Sequence, residues 1–543
     1  MDMPVRQWRV PESNRGKIAP VQQASQPLVY PAPANGLVTT IGLTEAQEGA
    51  ASMATNWVPT LKGMRIRGGS EKVAVTNAAL PIDSMFTYKF GIDHQMFVAN
   101  ANAIFDVSSP PAPPSPVFPA VAGLTSGEWM TFQHTTPGGS FLCCFNGTDD
   151  RQVYDGTAWA TTPAITFSDS TTIDQIGAAF LFKQRQFLVK SGTMDAYYLG
   201  VNSIGGAAAV FPLGGVMKKG GSLLTGFAWS PESGDGLNML CCFVSSEGEI
   251  AVYQGDDPSV AASWALKGVY SIGKPLGKNA FIQAGGDILI ATTTGLIPLS
   301  QVFQRDRDTV ALSALSRAID DRWQNVARTV SFGWSITAWP EKSLVFVSFP
   351  FTAAEPDTTF VLNVQTNKWS LITGWQAMAY CSFQGQMYFG DAANGGDADG
   401  AIWHADATGS DNGAPFKAVY LSHFMPAGGF GRRSQATLAH MYFQGKVNPI
   451  VYLFARANGD VTEPPGPAVT QQNPAISEWD VGKWDEALWD AASPKTKIQR
   501  RQNVRATGDT LALGCVVTSG GSTPLDLEID MGVLQVTGGE SSA

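Results

Sequence analysis

Paired carboxylates are the first residues here that could do chemistry. They stand at Asp149–Asp150, Asp256–Asp257 and Asp320–Asp321. Two carboxyls held a set distance apart in one cleft can hydrolyse a glycosidic bond, one as acid and the other as base or nucleophile. The first two pairs fall in turn-like sequence, where Asp serves local hydrogen bonding, and the third lies on the polar side of a helical pattern. The segment VYDGTAW at Val153 is loosely similar to a sialidase Asp-box, but lacks the preceding Ser-x-Asp-x-Gly frame and is not repeated. The histidines, His94, His134, His404, His423 and His440, form no H-x-x-x-H or similar ligand set. GKPLGK at Gly273 lacks the spacing and the Lys-Ser/Thr of a phosphate loop. GDAANGGDADG at Gly390 has acidic spacing like a calcium loop without the closing Glu, so it reads as an Asp/Gly turn. Asn146-Gly147-Thr148 is a formal glycosylation triplet, without meaning in an unsecreted chain. No catalytic, cofactor-binding or metal-binding residue emerges, and a protein that is not an enzyme is expected.

The six cysteines support that view. Four occur as adjacent pairs, Cys143–Cys144 in FLCCF and Cys241–Cys242 in MLCCF, with Cys381 and Cys515 alone. Neighbouring side chains on a strand point to opposite faces, so neither pair can share a metal. They read as reduced, small core hydrophobes, as in a chain made in a reducing cytoplasm.

Composition sets the wider frame. The chain has 543 residues, too many for one compact core. Only 15% are charged, while 57 Gly and 33 Pro imply many turns. A formal net charge of −10 argues against a protein that binds nucleic acid by charge neutralisation, and Lys218–Lys219, Arg432–Arg433 and Arg500–Arg501 are only pairs. No apolar run is long enough for a membrane span, and the first residues, MDMPVRQWRV, lack a signal-peptide core.

The elements that must position any site repeat along the chain. Apolar strands at QMFVAN (Gln95), SFLCCF (Ser140), QFLVKS (Gln186), NMLCCF (Asn238), DILIAT (Asp287), SLVFVSF (Ser343) and QMYFGD (Gln386) recur every 43 to 56 residues. Each is flanked by a preceding and a following strand, as MFTYKFG and AIFDVS flank the first. That period matches one propeller blade, because a lone small sheet leaves both faces wet until stacked in a ring. Seven repeats over 71–414 predict a seven-bladed β-propeller; the competing arrangement is a pair of β-sandwiches. KVAV near Val73 is the candidate for a ring-closing strand in the last blade. The longest step holds TVALSALSRAIDDRWQNVA, with Leu312, Leu315, Ile319 and Trp323 at helical spacing, and predicts an inserted helix at about 308–327.

The flanks differ. Residues 1–70, rich in Pro, Gln, Ala and Gly, predict an extended N-terminal arm, whose loss over 1–50 should disturb docking to neighbours but leave the propeller folded. Residues 109–119, SPPAPPSPVFP, form a proline-rich spacer. From 415 to 543 the period stops, and alternating segments such as PIVYLFARANG and TLALGCVVTSG predict an antiparallel β-sandwich-like domain. Within it Trp479, Trp484 and Trp489 are five apart, a spacing that fits either an exposed partner interface or a loop tucked on its own sandwich.

Ahead of the first blade stands ATNWVPTLKGMRIRGG. Its Asn56, Pro59, Gly63, Arg65, Arg67 and Gly69 resemble the Asn-, Pro-, Gly- and Arg-bearing opening of the tail nozzle family of short-tailed, podovirus-like bacteriophages. That family is also called tail tubular protein B or packaged-DNA stabilisation protein. The blade pattern, the SALSRAIDDRW insertion and the Trp-rich segment before a final β domain are similar too, so the resemblance runs from Asn56 to the C-terminus. Gly68 departs from it, standing where the pattern has Pro. The resemblance implies a homohexameric structural virion protein at the distal end of the tail, assembled in the host cytoplasm. Its partners would be a tail adaptor or head-to-tail connector protein and tail fibres or other tail proteins. Double-stranded DNA would be retained and then pass through the lumen without sequence-specific binding, gated by loops that close the tube. Six copies at −10 each would present a conduit wall along which a duplex can slide. The alternatives are a receptor- or glycan-binding propeller on the virion and, behind it, a glycan-cleaving enzyme.

Overall fold

The computed structural model describes residues 25–40, 47–230, 239–260, 262–303, 311–352, 355–392, 399–427, 432–446, 449–469 and 495–541. Trp479, Trp484 and Trp489 lie outside the described residues. The fold is mainly β, and seven small sheets follow one another along the chain. Their innermost strands are Ser84–Phe90, Met130–Thr136, Ile176–Phe182, Leu223–Trp229, Phe281–Ala284, Ser335–Trp339 and Ala377–Phe383. Each begins an antiparallel meander, four strands in most blades and three in blade 5.

Burial of both faces of each blade explains the closed arrangement. Seven apolar cores alternate with the seven blades, one in each cleft. The adjacent cysteines show the geometry most simply. Cys143 fills the cleft between blades 2 and 3, and Cys144 fills the one between blades 1 and 2. Cys241 and Cys242 do the same on either side of blade 4. All six thiols are free and buried. Burial pushes the Cys143 thiol up to about 11 and Cys381 to about 12, so neither is a poised nucleophile.

Ring closure comes from the N-terminal side. Strand Gly69–Val75 pairs antiparallel with Ala401–Thr408 and completes blade 7 as its outer strand. Ala74 then packs with Phe383 and Ile402 of blade 7 against Met96 and Phe105 of blade 1.

The C-terminal sandwich is built from both ends of the chain. One sheet holds Arg432–Gly445, Thr496–Gly508 and Glu528–Ser541, joined by N-terminal strands Gln26–Tyr30, Trp57–Pro59 and Met64–Ile66. The other holds Phe416–Ser422, Thr510–Ser519 and Val451–Ala457 with Ala50–Thr55 from the N-terminal side. Ala50–Thr55 also bridges to the outer strand of blade 6 at Leu371, so sandwich and propeller share a sheet. The extended arm is thus structural in its described part. Tyr30 and Leu37 are buried in the main core, and the Tyr30 hydroxyl donates to the carbonyl of Leu511 at 2.7 Å. Removal of 1–50 would therefore strip core residues from the sandwich, beyond any effect on docking.

The inserted helix is shorter than its periodicity predicts. Its α-helical part is Asp320–Thr329, preceded by 3-10 turns at Ala311–Ser313 and Leu315–Ile319. Ile319 and Trp323 are buried where blades 5 and 6 meet the sandwich, whereas Leu312 at the far end of the stripe is 57% exposed.

Candidate functional site

The segment 56–69 lies at the seam between propeller and sandwich. Asn56 sits at φ +61°, a left-handed conformation that Asn tolerates better than most residues, between strands Ala50–Thr55 and Trp57–Pro59. Its amide donates to Lys417 O at 2.6 Å and Thr373 Oγ1 at 3.1 Å. Its Oδ1 accepts from Thr373 N and from Arg67 Nε, both at 2.9 Å. Arg67, 1% exposed, completes the node. Its guanidinium makes a bidentate pair with Asp411 at 2.9 and 2.7 Å and donates to the carbonyls of Gly68 and Thr373. It also lies 3.8 Å from the ring centroid of Phe416 and 4.8 Å from that of Trp375, where the ring quadrupoles favour a cation. Every Arg67 donor is thus matched or stacked, the condition under which a buried charge is tolerated.

A second node adjoins it. Arg65 pairs with Asp406 at 3.1 Å, and Lys342 and the Gly68 N–H also donate to Asp406. Burial alone would raise the Asp406 carboxyl, but the charges of Arg65 and Lys342 outweigh it and hold the pKa below the ordinary value. Gly68, which departs from the family pattern, donates an N–H that Pro would not have. A Cβ on Gly69 would fall 2.1 Å from Ser410 O, so no larger residue fits there. Pro59 accepts from Asn363 Nδ2 at 2.9 Å, and Gly63 N donates to Thr60 Oγ1 at 3.1 Å in the intervening turn. The six motif residues all serve this seam. Their partners Thr373, Asp406, Asp411 and Phe416 lie more than 300 residues away, and nothing in local sequence marks them.

Most of the other carboxylates singled out in the sequence have local partners. Asp149 accepts from Thr125, Ser126 and Asn146; burial pushes its carboxyl up, and those hydrogen bonds together bring it below normal. Asp257 pairs with Arg185 at 3.5 Å, and Asp256 with Lys183. Asp320 accepts from Gln324, and Asp321 from Thr39 of the arm. Asp155 turns back on Thr157 N and Ala158 N. Asp399, from the Asp/Gly segment, pairs with Lys72 of the ring-closing strand, and 393–398 lie outside the described residues. Among the described residues no group of three His, Cys, Asp or Glu side chains could hold a metal.

A recess of about 260 Å³ opens where the inner strands of blades 1, 2, 5, 6 and 7 begin, lined by Asp83, Glu128, Lys278, Trp334, Ser335 and Tyr380 among others. Lys278 Nζ, entering blade 5, donates to Glu128 O of blade 2 at 2.7 Å and lies 3.9 Å from Glu128 Oε2. Blades 2 and 5 are not ring neighbours, so this side chain crosses the middle of the ring. Burial lowers the Lys278 pKa, against the pull of Glu128. Partial desolvation at the recess, and then Glu128, raise the carboxyl of Asp83 to about 6, although the residue keeps an exposed edge. A raised folded pKa means that folding takes up a proton between about 4 and 6, so this site's contribution to stability falls as pH rises through that window. Asp83 is itself solvent-exposed, so screening discounts this contribution: Asp83→Asn should raise the melting temperature at pH 7.5 only slightly, with no gain at pH 4, checked by scanning fluorimetry across pH.

No family model and no curated protein matches this chain. Among solved structures, it is similar to that of BBS1N in complex with ARL6DN, at 12% identity over 43% of this chain and 73% of that one, TM-score 0.29. It is also similar to the extracellular domain of BT4673 from B. thetaiotaomicron, at 11% identity over 71% of this chain, TM-score 0.38. The chain spans 45% of that second structure. Similarity at this level carries no argument, and the propeller assignment rests on the sheets and interblade cores.

Proposed function

We propose that this chain is a structural virion protein, the hexameric tail nozzle of a short-tailed phage. In this role it retains the packaged genome in the distal tail conduit and lets DNA pass on ejection. The observation that carries the reading is the seam itself. The residues that resemble the family's opening, Asn56 to Gly69, are those that fasten the sandwich to blades 6 and 7 and lead into the ring-closing strand. A part that must resist the pressure of packaged DNA needs its domains welded, and buried, fully partnered ion pairs supply orientation as well as cohesion. The conduit would run between copies. The middle of a single ring is crossed by Lys278, and a recess of about 260 Å³ has no room for a duplex. Adaptor and fibre contacts would then fall on surfaces outside the seam.

Negative-stain images of the purified full-length chain test this. Six-fold rings are expected. A persistent monomer that binds or cleaves oligosaccharide would put the glycan-directed propeller in its place.

A further inference from the structure

The sandwich sheet that carries strand Thr496–Gly508 turns one face inward and one to solvent. Inward go Ile498, Val504 and Ala506, packed on the main core, and Gln502, whose Oε1 accepts from Leu453 N of the opposite sheet at 2.9 Å. Alternation sends Lys497, Gln499, Arg501, Asn503, Arg505 and Thr507 outward, the exposed pattern continuing past a bulge opposite Ala436–Leu438, and all six are exposed. On the neighbouring strand, His440 stands opposite Arg501, Tyr442 opposite Gln499 and Gln444 opposite Lys497, and exposed Arg433 lies near the far end. The His440 and Tyr442 rings sit 4.4 Å apart in the middle of the face. Lys497, Arg501, Arg505 and Arg433 make no ion pair among the described residues. Acidic residues stand at both ends of this sheet. At one, Asp526 is engaged by Arg65 and Lys495, Glu528 by Thr60, and Asp530 lies beside them. At the other, Asp509 and Glu540 lie near Arg433 along the backbone, so Lys497, Arg501 and Arg505 form the stretch between.

Such a face is unusual in a chain of net charge −10. Cations four residues apart on a strand are about 13 Å from one another, too far to pay for mutual shielding by a single counter-ion and well placed to follow an extended polyanion. The accompanying side chains, Gln, Asn, Thr, Tyr and His, are polar groups of the kind that contact phosphate and sugar. A protein partner would have to bring acidic groups to match, whereas a row of cations with no ion pair among the described residues, on a polar sheet, matches the repeated charge of a phosphate backbone.

We propose that the outer face of this sheet is a sequence-independent docking surface for the phosphodiester backbone of duplex DNA, with Lys497, Arg501, Arg505 and Arg433 as the phosphate-contacting residues. The choice of duplex DNA among polyanions rests on the nozzle reading; the polyanion chemistry stands on the face alone.

The test is anisotropy of a labelled 30-bp duplex titrated with the full-length chain at several salt concentrations, with ring formation imaged on the same samples. Four phosphate contacts predict roughly 100-fold weaker binding at 200 mM than at 50 mM salt. The variant K497Q/R501Q/R505Q should reduce the log–log salt slope by about 3. K89Q/K218Q/K267Q, the same charge change at exposed propeller sites, should keep most of the affinity. An unaltered slope in the first variant, or no duplex binding by the parent chain, overturns the proposal. So does a first variant that abolishes association between copies when the parent binds no duplex, since the face would then serve a second copy. Rings without DNA binding would sink this inference and leave the nozzle standing. DNA binding lost with the first variant, in a chain that never forms rings, would do the reverse.

Discussion

Arg67→Ala should destabilise the protein by about 3–5 kcal/mol, the cost of removing one partner from a buried ion pair. The loss has several parts. Asp411 keeps its charge but loses a bidentate partner, although Ser70 N and Trp375 Nε1 still donate to it at 3.1 Å. The carbonyls of Gly68 and Thr373 lose a donor, and Asn56 Oδ1 loses one of two. The Phe416 and Trp375 rings are left facing a void. Because these groups belong to both domains, denaturant unfolding should split into two transitions, with the sandwich released first. Arg67→Lys should recover little, since an ammonium cannot span both Asp411 oxygens and stack between two rings. A single transition within 1 kcal/mol of the parent would show that the seam is held by the shared sheet instead.

Trp323→Ala is the second large effect, again about 3–5 kcal/mol. Trp323 is fully buried, its indole N–H donates to Thr292 O at 2.9 Å, and its ring lies 4.9 Å from Trp334 and 6.1 Å from Trp369. Truncation opens a cavity where blade 5, blade 6, the helix and the sandwich meet, and removes the indole donor from the carbonyl of Thr292. Leu312→Ala, on the same apolar stripe but more than half exposed, should change stability by less than about 0.5 kcal/mol. The contrast is read by urea unfolding of the two variants side by side. Equal effects would mean that the helix docks as its spacing suggests, and that the 3-10 turn before it carries real packing.

The propeller was legible because its information is local and repeated. Each blade strand must be apolar on both faces, so the repeats stand out as short runs, and adjacent cysteines are tolerated because each faces a different interblade cleft. Strand Gly69–Val75 could be picked as the closing strand for the same reason. The α-helix begins later than its spacing implies because spacing registers which residues can share a face, whereas local backbone contacts decide where the α-helix begins. No side chain caps the preceding 3-10 turn or the helix.

The sandwich and the seam were not legible in the same way. Strand Thr496–Gly508 is hidden by its chemistry, with Gln, Arg and Asn outward and only Ile498, Val504 and Ala506 apolar inward, so no hydrophobic alternation announces it. Its cations look scattered along the chain and become a stripe only once the pleat separates odd from even positions. Arg500 and Arg501, adjacent in sequence, part company. Arg500 donates to Pro449 O and Arg501 faces solvent. By itself, then, the sequence determined the repeated sheets, their number and the buried thiols, since those follow from side-chain type and short-range period. Tertiary structure alone decided that the arm enters the sandwich, that Arg67 finds Asp411, and that Lys278 crosses the ring. Those partners are separated by over a hundred residues, and only the closed ring brings them within bonding distance.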